Sequence, residues 1–511
     1  MKLLLLPLDD RPVTFVYPQM IAQAAGVETI VPPRKLMGSL TQPADPSKLL
    51  EWMEQAINGK PDALILGLDS LFYGGLISSR RSAYTLVEVV KRLDSLKTWY
   101  KRSDRKPAIT CQASIMRVSD NYDNTEEKEY WAKYGRELFA WSSEMHKLTK
   151  NREGDRSHLR SLEMKVPAEI RQDYMDTRFR NFQALKKCLE LVRDKHMERL
   201  TLSLDDSGEY GLNLLEKELL EKTAIDMGVR ERVSIYAGAD EVLCALIAKQ
   251  LTVDAITTNR STAPRVILVY ANDTMGEIFS RYEGQTIART IEAQLKACGC
   301  HILATVDTNE AVKATDADFI LLVHLPDTRQ GDHIAIPGLP NLTKIESEKS
   351  AEASFQFLSQ CKLPVAIADV AYANGSDPVL IEKILSNPEV LKKLWGYGGW
   401  NTTGNATGSA IALAVAHWYG KQNLSNVDLA LKRCLFVRLA DDWAYQTQVR
   451  PNLKAALPGN ELATLLAPHV LRIGKCLDFS PGSISVRQPW NRTFEIEVSL
   501  TPAEATAGAQ K

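Results

Sequence analysis

Two adjacent aspartates, Asp205 and Asp206, end the apolar run Leu200-Thr201-Leu202-Ser203-Leu204 and are followed by Ser207-Gly208-Glu209-Tyr210-Gly211. Neighbouring carboxylates repel, so in a partly buried site one of them holds its proton near neutral pH. Such a pair supplies a proton donor beside a charged orienter, the equipment for cleaving a glycosidic bond. The plainer explanation is that Asp205 caps the next turn and Asp206 faces water.

The same pattern recurs. Leu3 to Leu8 runs into Asp9-Asp10-Arg11-Pro12, and Ala63 to Leu68 runs into Asp69, then Tyr73-Gly74-Gly75 and Arg80. Val233 to Tyr236 leads to Gly238-Ala239-Asp240-Glu241, Val266 to Tyr270 to Asn272-Asp273, and Val365 to Ala368 to Asp369 and Asn374-Gly375. Parallel α/β proteins place their sites beyond the carboxyl ends of the strands. Acids at so many strand ends therefore predict one acid-rich pocket assembled from distant parts of the chain.

Each motif also has a local explanation. Arg11 can fork a carboxylate or an anionic substrate group, yet Pro12 also suits a helix start, with one of the two aspartates as its cap. Gly74-Gly75 permits close backbone approach to a ligand, whereas Arg80 could equally face solvent. Arg117 and Asp120, beyond the fourth strand, share that ambiguity. Asp240 and Glu241 open a helix, where the dipole alone favours acids. Asn272, Asn374, Asn401 and Asn405 are suited to reading sugar hydroxyls. The stretch Trp395-Gly396-Tyr397-Gly398-Gly399-Trp400-Asn401-Thr402-Thr403-Gly404-Asn405 reads as a glycine-rich loop meeting a helix, with Trp400 as a sugar platform. It lacks the phosphate-loop and dinucleotide spacings. Arg438 and Asp442 stand four apart on a helix, a spacing expected of a surface ion pair; Asp441 and Tyr445 share it.

Elements must hold these residues. Strands are expected at 2–8, 28–32, 62–68, 107–113, 200–204 and 233–237, with helices between them at 13–25, 46–58, 84–101, 212–227 and 240–251. That alternation means parallel strands with helical crossovers. The charged segment 120–199 reads as a helical insertion that forms a wall or lid, or else a peripheral subdomain. A second α/β pattern follows: strands at 265–271, 301–306, 318–324 and 363–369, helices at 275–297, 350–361, 377–394 and 405–419. Strands at 483–488 and 493–499 look like a hairpin. The expected domains are 1–260, 261–420 and a helical and hairpin region at 421–511. The fold class is α/β, with a first half that is either a parallel (β/α)-barrel-like sheet beside a smaller Rossmann-like domain, or one of two doubly wound lobes.

Bulk composition narrows the function. With 511 residues, more than one core is expected. A net charge of −1 offers no field for nucleic acid or an anionic membrane. The eight cysteines are scattered without CxxC spacing, and the eight histidines show no HxH or HExxH pattern, so reduced structural thiols and no histidine-rich metal site are expected. The run Met1 to Leu8 stops too early for a signal peptide, and nothing approaches the ~20 apolar residues that span a bilayer. A cytoplasmic enzyme without nucleic-acid or membrane partners is the expectation.

Several of these motifs in this order resemble an uncharacterised bacterial family, domain-of-unknown-function family 4127. The resemblance rests on Pro7 to Pro12, Leu68-Asp69 with Tyr73 to Leu76 and Ser79-Arg80, Asp205-Asp206, Gly238 to Glu241, Gly399 to Thr402, and Pro489-Trp490-Asn491-Arg492. It covers most of the chain and implies a coherent fold but no activity. A weaker analogy at the level of fold links the aspartate pair to substrate-assisted hexosaminidases. It implies that Asp205 orients a substrate acetamido group and Asp206 protonates the leaving oxygen.

The first expectation is thus a carbohydrate-active hydrolase with Asp206 and Asp205 catalytic and no cofactor. Its small-molecule or oligosaccharide substrate would meet Asp9, Asp10, Arg11, Asp69, Tyr73, Arg80, Arg117, Asp240, Glu241, Asn272, Asp273, Asn374, Trp400, Asn401 and Asn405. A hydrolase or lyase using Mg²⁺ or Mn²⁺ is the second reading, and a non-catalytic sugar or metabolite binder the third.

Overall fold

The computed structural model describes residues 1–102, 106–150, 154–272, 274–313, 315–334, 339–422 and 427–501. The chain divides into two compact units. The first comprises Met1–Phe15, Val27–Leu246 and Tyr282–Gln285; the second comprises Val16–Gly26, Ile247–Arg281 and Thr286–Lys511.

Six parallel strands build the first unit: β1 (Lys2–Leu6), β2 (Glu28–Ile30), β3 (Ala63–Gly67), β4 (Ala108–Ile115), β5 (Arg199–Leu204) and β6 (Val233–Ala237). They lie in the order β2-β1-β3-β4-β5-β6. The α/β class is as expected, and the sheet stays open between its β2 and β6 edges instead of closing into a barrel. Leu3 to Leu6 are fully buried, as a parallel strand covered on both faces requires. β4 and β5 differ. Thr110, Gln112 and Ser114 alternate with Ile109, Cys111 and Ala113, and Thr201 and Ser203 alternate with Leu200 and Leu202. The register pairs Gln112 with Thr201 and Ser114 with Ser203, which lays a buried polar row along one face.

The second unit holds five parallel strands, β7 (Arg265–Tyr270), β8 (His301–Asp307), β9 (Phe319–His324), β11 (Val365–Asp369) and β13 (Leu394–Gly398), with a small parallel pair, β10 (Gly331–Asp332) and β12 (Tyr372–Ala373). The large sheet runs β13-β11-β9-β7-β8. Read from β8, that is second strand, first, third, fourth, fifth, the same order as β2-β1-β3-β4-β5 in the first unit. In both, the order in which strands are added reverses between the first and third strands, the place where open α/β sheets leave a crevice. An antiparallel hairpin, β14 (Ser483–Arg487) and β15 (Glu497–Thr501), follows as expected.

Three expectations about elements change. Leu394–Gly398 is a strand, not a glycine-rich loop. Its glycines let the helix Thr403–Lys421 lie directly on the strand: a Cβ on Gly396 or Gly398 would stand 2.1 Å from the Ala410 or Ala406 carbonyl oxygen. The helix expected from 275 starts only at Ile287, because Met275, Gly276, Tyr282 and Gly284 all have positive φ. The helix expected over 377–394 is split into Pro378–Leu385 and Pro388–Lys392, broken where Asn387 precedes a proline.

The charged segment after β4 forms the helices Trp131–Thr149, Arg156–Lys165 and Ala168–Arg193. They close over their own apolar cluster of Trp131, Leu138, Trp141, Leu162 and Tyr174, joined by Met116 and Val118 from the end of β4.

Candidate functional site

At the carboxyl end of the first sheet, residues that follow β1, β3, β4, β5 and β6 gather into two clusters of charge. In one, Arg11 lies between two aspartates. Its Nε and Nη2 donate to Asp9 at 2.8–3.1 Å, and its Nη2 and Nη1 donate to Asp240 at 2.7 and 3.2 Å. Thr14 adds a 2.6 Å bond to Asp9. The planar guanidinium suits this double fork, and it ties the end of β1 to the end of β6. All three residues are buried, and burial, ahead of the opposing Arg11, raises the Asp240 pKa.

In the other cluster, Arg80 and Arg117 interleave with four carboxylates. Arg80 meets Asp205, Glu126 at 3.2 Å and Glu127 at 3.4 Å. Arg117 meets Glu127 at 2.7 Å, Glu126 at 3.1 Å and Asp206 at 3.1 Å. The Asp206 side chain is 33 % exposed and that of Asp205 13 %, whereas Arg80 is closed off at 1 %. Desolvation by the surrounding protein and then the Asp205 charge push Asp206 up to about 7, against the pull of Arg117. Asp205 also raises the pKa of Asp240, so the two clusters share one field.

Asp69 lies under Arg80's influence, buried, with Oδ2 accepting from the Ser114 amide at 3.0 Å. Burial lifts it to about 7, opposed first by Ser114 and then by Arg80. Near the same strand ends, Gln112 donates to the Ala239 carbonyl at 2.7 Å and leaves its own Oε1 buried without a partner.

The expected contacts therefore separate. Asp205, Asp206, Arg80 and Arg117 meet, as do Asp9, Arg11 and Asp240. Asp10 is held through its main chain, its N–H on the Gly38 carbonyl at 3.1 Å and its carbonyl taking the Arg34 guanidinium. Tyr73 is buried with the Arg180 guanidinium 4.8 Å from its ring centre, and burial raises its pKa. Glu241 is fully buried and accepts the Ala239 amide at 3.1 Å, in space that a side chain on Gly238 would fill. Asp120 is exposed and stands 4.0 Å from Arg136.

Sequence reasoning missed Glu126 and Glu127, which lie in a charged run resembling a solvated face. It also missed Ser114 and Gln112, whose signal was the polar alternation within β4.

The second unit carries its own polar network. Asn272 Nδ2 donates to the Pro326 carbonyl at 3.0 Å, linking the ends of β7 and β9; Asp273 lies outside the described residues. Asn374 has φ +62°; its side-chain Nδ2 donates to Asp332 at 2.9 Å, and its main-chain N–H donates to the carbonyl of Asn401, itself at φ +69°. Deeper, His324 bridges Ser354 at 2.8 Å and Asp377 at 3.1 Å with no exposure. Tyr397 donates to Asp369 at 2.7 Å. Asp442 accepts from Arg438 at 2.7 Å and from the Gly399 amide at 2.8 Å, while Asp441 accepts from Tyr17 at 2.9 Å.

Two expectations fail here. The pair Arg438–Asp442 is buried, not superficial; Arg438 lies in the last turn of the α-helix Asp428–Leu439 and Asp442 lies on the π-helical segment Ala440–Val449, whose wider turn brings Gln446 onto Asp441 at 3.1 Å. Trp400 is 1 % exposed with its ring edge-on to Phe494, which leaves no face for a sugar. Asn405 is equally buried at the start of the helix Thr403–Lys421, with neither amide atom partnered.

Among the described residues, no group of three or more His, Cys, Asp or Glu is arranged to hold a metal ion. No helix among the described residues is long and apolar enough to cross a membrane.

These features define an α/β protein with two parallel sheets of common strand order, each with charged residues gathered at its carboxyl end. The chain belongs to the family described as protein of unknown function (DUF4127), whose model matches residues 3–499. No curated protein matches it. Among solved structures, a glucose-galactose binding protein from Geobacillus stearothermophilus, GanP, aligns over 83% of this chain and 92% of its own at 9% identity, with a TM-score of 0.15. A likeness of that size carries no argument about ligand or fold.

Proposed function

We propose that the chain is a carbohydrate-active hydrolase of the glycosidase type, working at the carboxyl end of the first sheet. Asp206 is the general acid and Asp205 the orienter. In the reaction, Asp206 gives its proton to the glycosidic oxygen as the C–O bond breaks and the substrate acetamido oxygen, aligned by Asp205, bonds to the anomeric carbon; water then displaces that oxygen and returns a proton to Asp206. Asp69, Arg80 and Arg117 bound the site, while Asp9, Arg11 and Asp240 brace it.

One observation carries the reading. Asp206 is open to solvent over a third of its side chain and yet is pushed up to about 7 by desolvation and by Asp205. A carboxylic acid that keeps its proton near neutrality and can be reached is what leaving-group protonation requires.

The test is Asp206→Asn assayed against a panel of glycosides that includes N-acetylhexosaminides. Turnover falls by about 10²- to 10⁴-fold with the unfolding midpoint retained. In the wild type, turnover declines as pH rises through about 7, where Asp206 loses its proton. Undiminished turnover in the variant would remove Asp206 from the mechanism. A wild type that cleaves no glycoside but is stabilised by one would leave a binder.

A further inference from the structure

Asp206 is held by its main chain on both sides. Its carbonyl accepts from Asn213 Nδ2 at 3.2 Å, and the next amide, that of Ser207, donates to the Tyr282 carbonyl at 2.7 Å. Tyr282 comes from far down the sequence. The short segment Tyr282–Gln285 belongs to the first unit, although the chain immediately before and after it belongs to the second.

Three features make this a built contact. Ser207 and Glu283 form a parallel β-bridge, and Glu283 is 4 % exposed. Gly284 lies on Gly208 so closely that a Cβ would stand 2.0 Å from the Gly208 carbonyl oxygen, and its φ of +59° favours glycine. Tyr282 adopts φ +68°, a conformation bulky residues rarely accept, and its carbonyl is the group that meets Ser207. Strain of this kind persists only where the surroundings impose it.

We infer that Tyr282–Gln285 is a positioning strap for the acid pair. It fixes the main chain over Asp206–Gly208 so that the Asp206 carboxyl stays beside Arg117, and it acts through Asp206 without touching substrate. A proton donor displaced by even an ångström loses much of its effect. This role rests on the reading of Asp206 as the proton donor.

The test is amide hydrogen exchange on the full chain, wild type and Gly284→Ala, beside steady-state kinetics. In the wild type the Ser207 amide is protected. In Gly284→Ala, exchange over residues 205–209 rises at least tenfold while β1 and β3 keep their protection. On whichever glycoside the wild type cleaves, kcat per folded molecule falls at least tenfold with KM changed less than threefold. A merely structural glycine would lower the folded fraction and leave both constants of the folded molecules alone.

A wild-type Ser207 amide that exchanges like an open loop overturns the strap with no variant needed, so failure of Gly284→Ala to fold does not shield the inference. Unchanged exchange in the variant, or faster exchange with kcat intact, overturns it too. If the wild type cleaves no glycoside, the hydrolase reading falls, and exchange alone still decides whether the strap holds the loop.

Discussion

The two units place carboxylates at the carboxyl ends of equivalent sheets and treat them differently. In the first, Arg11, Arg80 and Arg117 interleave with the acids, and Asp206 remains partly open. In the second, Asp369, Asp377, Asp441 and Asp442 are shut away, with Arg438, His324, Tyr17 and Tyr397 as their partners. Burial raises Asp369, Asp441 and Asp442 together. The contrast separates a partly open cluster, where Arg11, Arg80 and Arg117 set the charge, from a buried network, where Arg438 shares the acids with protons and hydroxyls. A perturbed carboxylate is a candidate for chemistry only when substrate can reach it.

The largest effect on stability is expected at Arg438. Its removal leaves Asp442 buried without its cation, a loss of about 3–5 kcal/mol for a broken internal pair. Arg438→Met should show this in a denaturant titration, and the double variant Arg438→Met with Asp442→Asn should recover part of it, because Asn still accepts the Gly399 amide. A cost under about 1 kcal/mol, the range of exposed pairs, would return the pair to the surface role its spacing suggested.

The next contrast is in pH dependence. Asp369 is raised to about 6 in the folded chain, so the folded state binds its proton more tightly than the unfolded state does. Its contribution is therefore fully present below the unfolded value near 4, is lost as pH rises through about 6, and is constant above. Asp369→Asn should flatten that part of the stability curve measured between pH 4 and 8. The same slope in variant and wild type would assign the dependence elsewhere, the next candidates being Asp442 at about 6 and Asp441 at about 7 in the same unit and Asp69 at about 7 in the first.

How much of this was legible depends on period and on contact distance. The apolar runs Leu3–Leu6 and Ala63–Leu66 announced parallel strands because burial on both faces leaves no alternation to misread. The aspartates that follow pointed to the charged cluster at the sheet's carboxyl end. β13 was hidden because Gly396 and Gly398 read as loop punctuation, when they serve the close approach of a helix that comes later in the chain. Trp400 looked like a platform because a sequence cannot show that Phe494 covers its ring. Tyr282–Gln285 carried no signal at all, since its meaning lies in a partner far away in number.

The smallest effects come from the charged stretch 120–129, where neighbours of similar type should behave differently. Glu127 is 3 % exposed and accepts from both Arg80 and Arg117. In Glu127→Gln, more of the Arg117 charge falls on Asp206, so the fall in turnover on the basic side moves to lower pH, at a cost of about 1–2 kcal/mol for the weakened buried bonds. Asp120, exposed and 4.0 Å from Arg136, should show neither: Asp120→Asn changes stability by no more than about 0.5 kcal/mol and leaves the pH profile in place. Thermal unfolding and pH–rate curves of the two variants, run side by side, decide the matter. Equal behaviour would mean that Glu127 belongs to the solvated face its sequence resembles, and that Asp206 owes its proton to burial and Asp205 without the arginine lattice holding the balance.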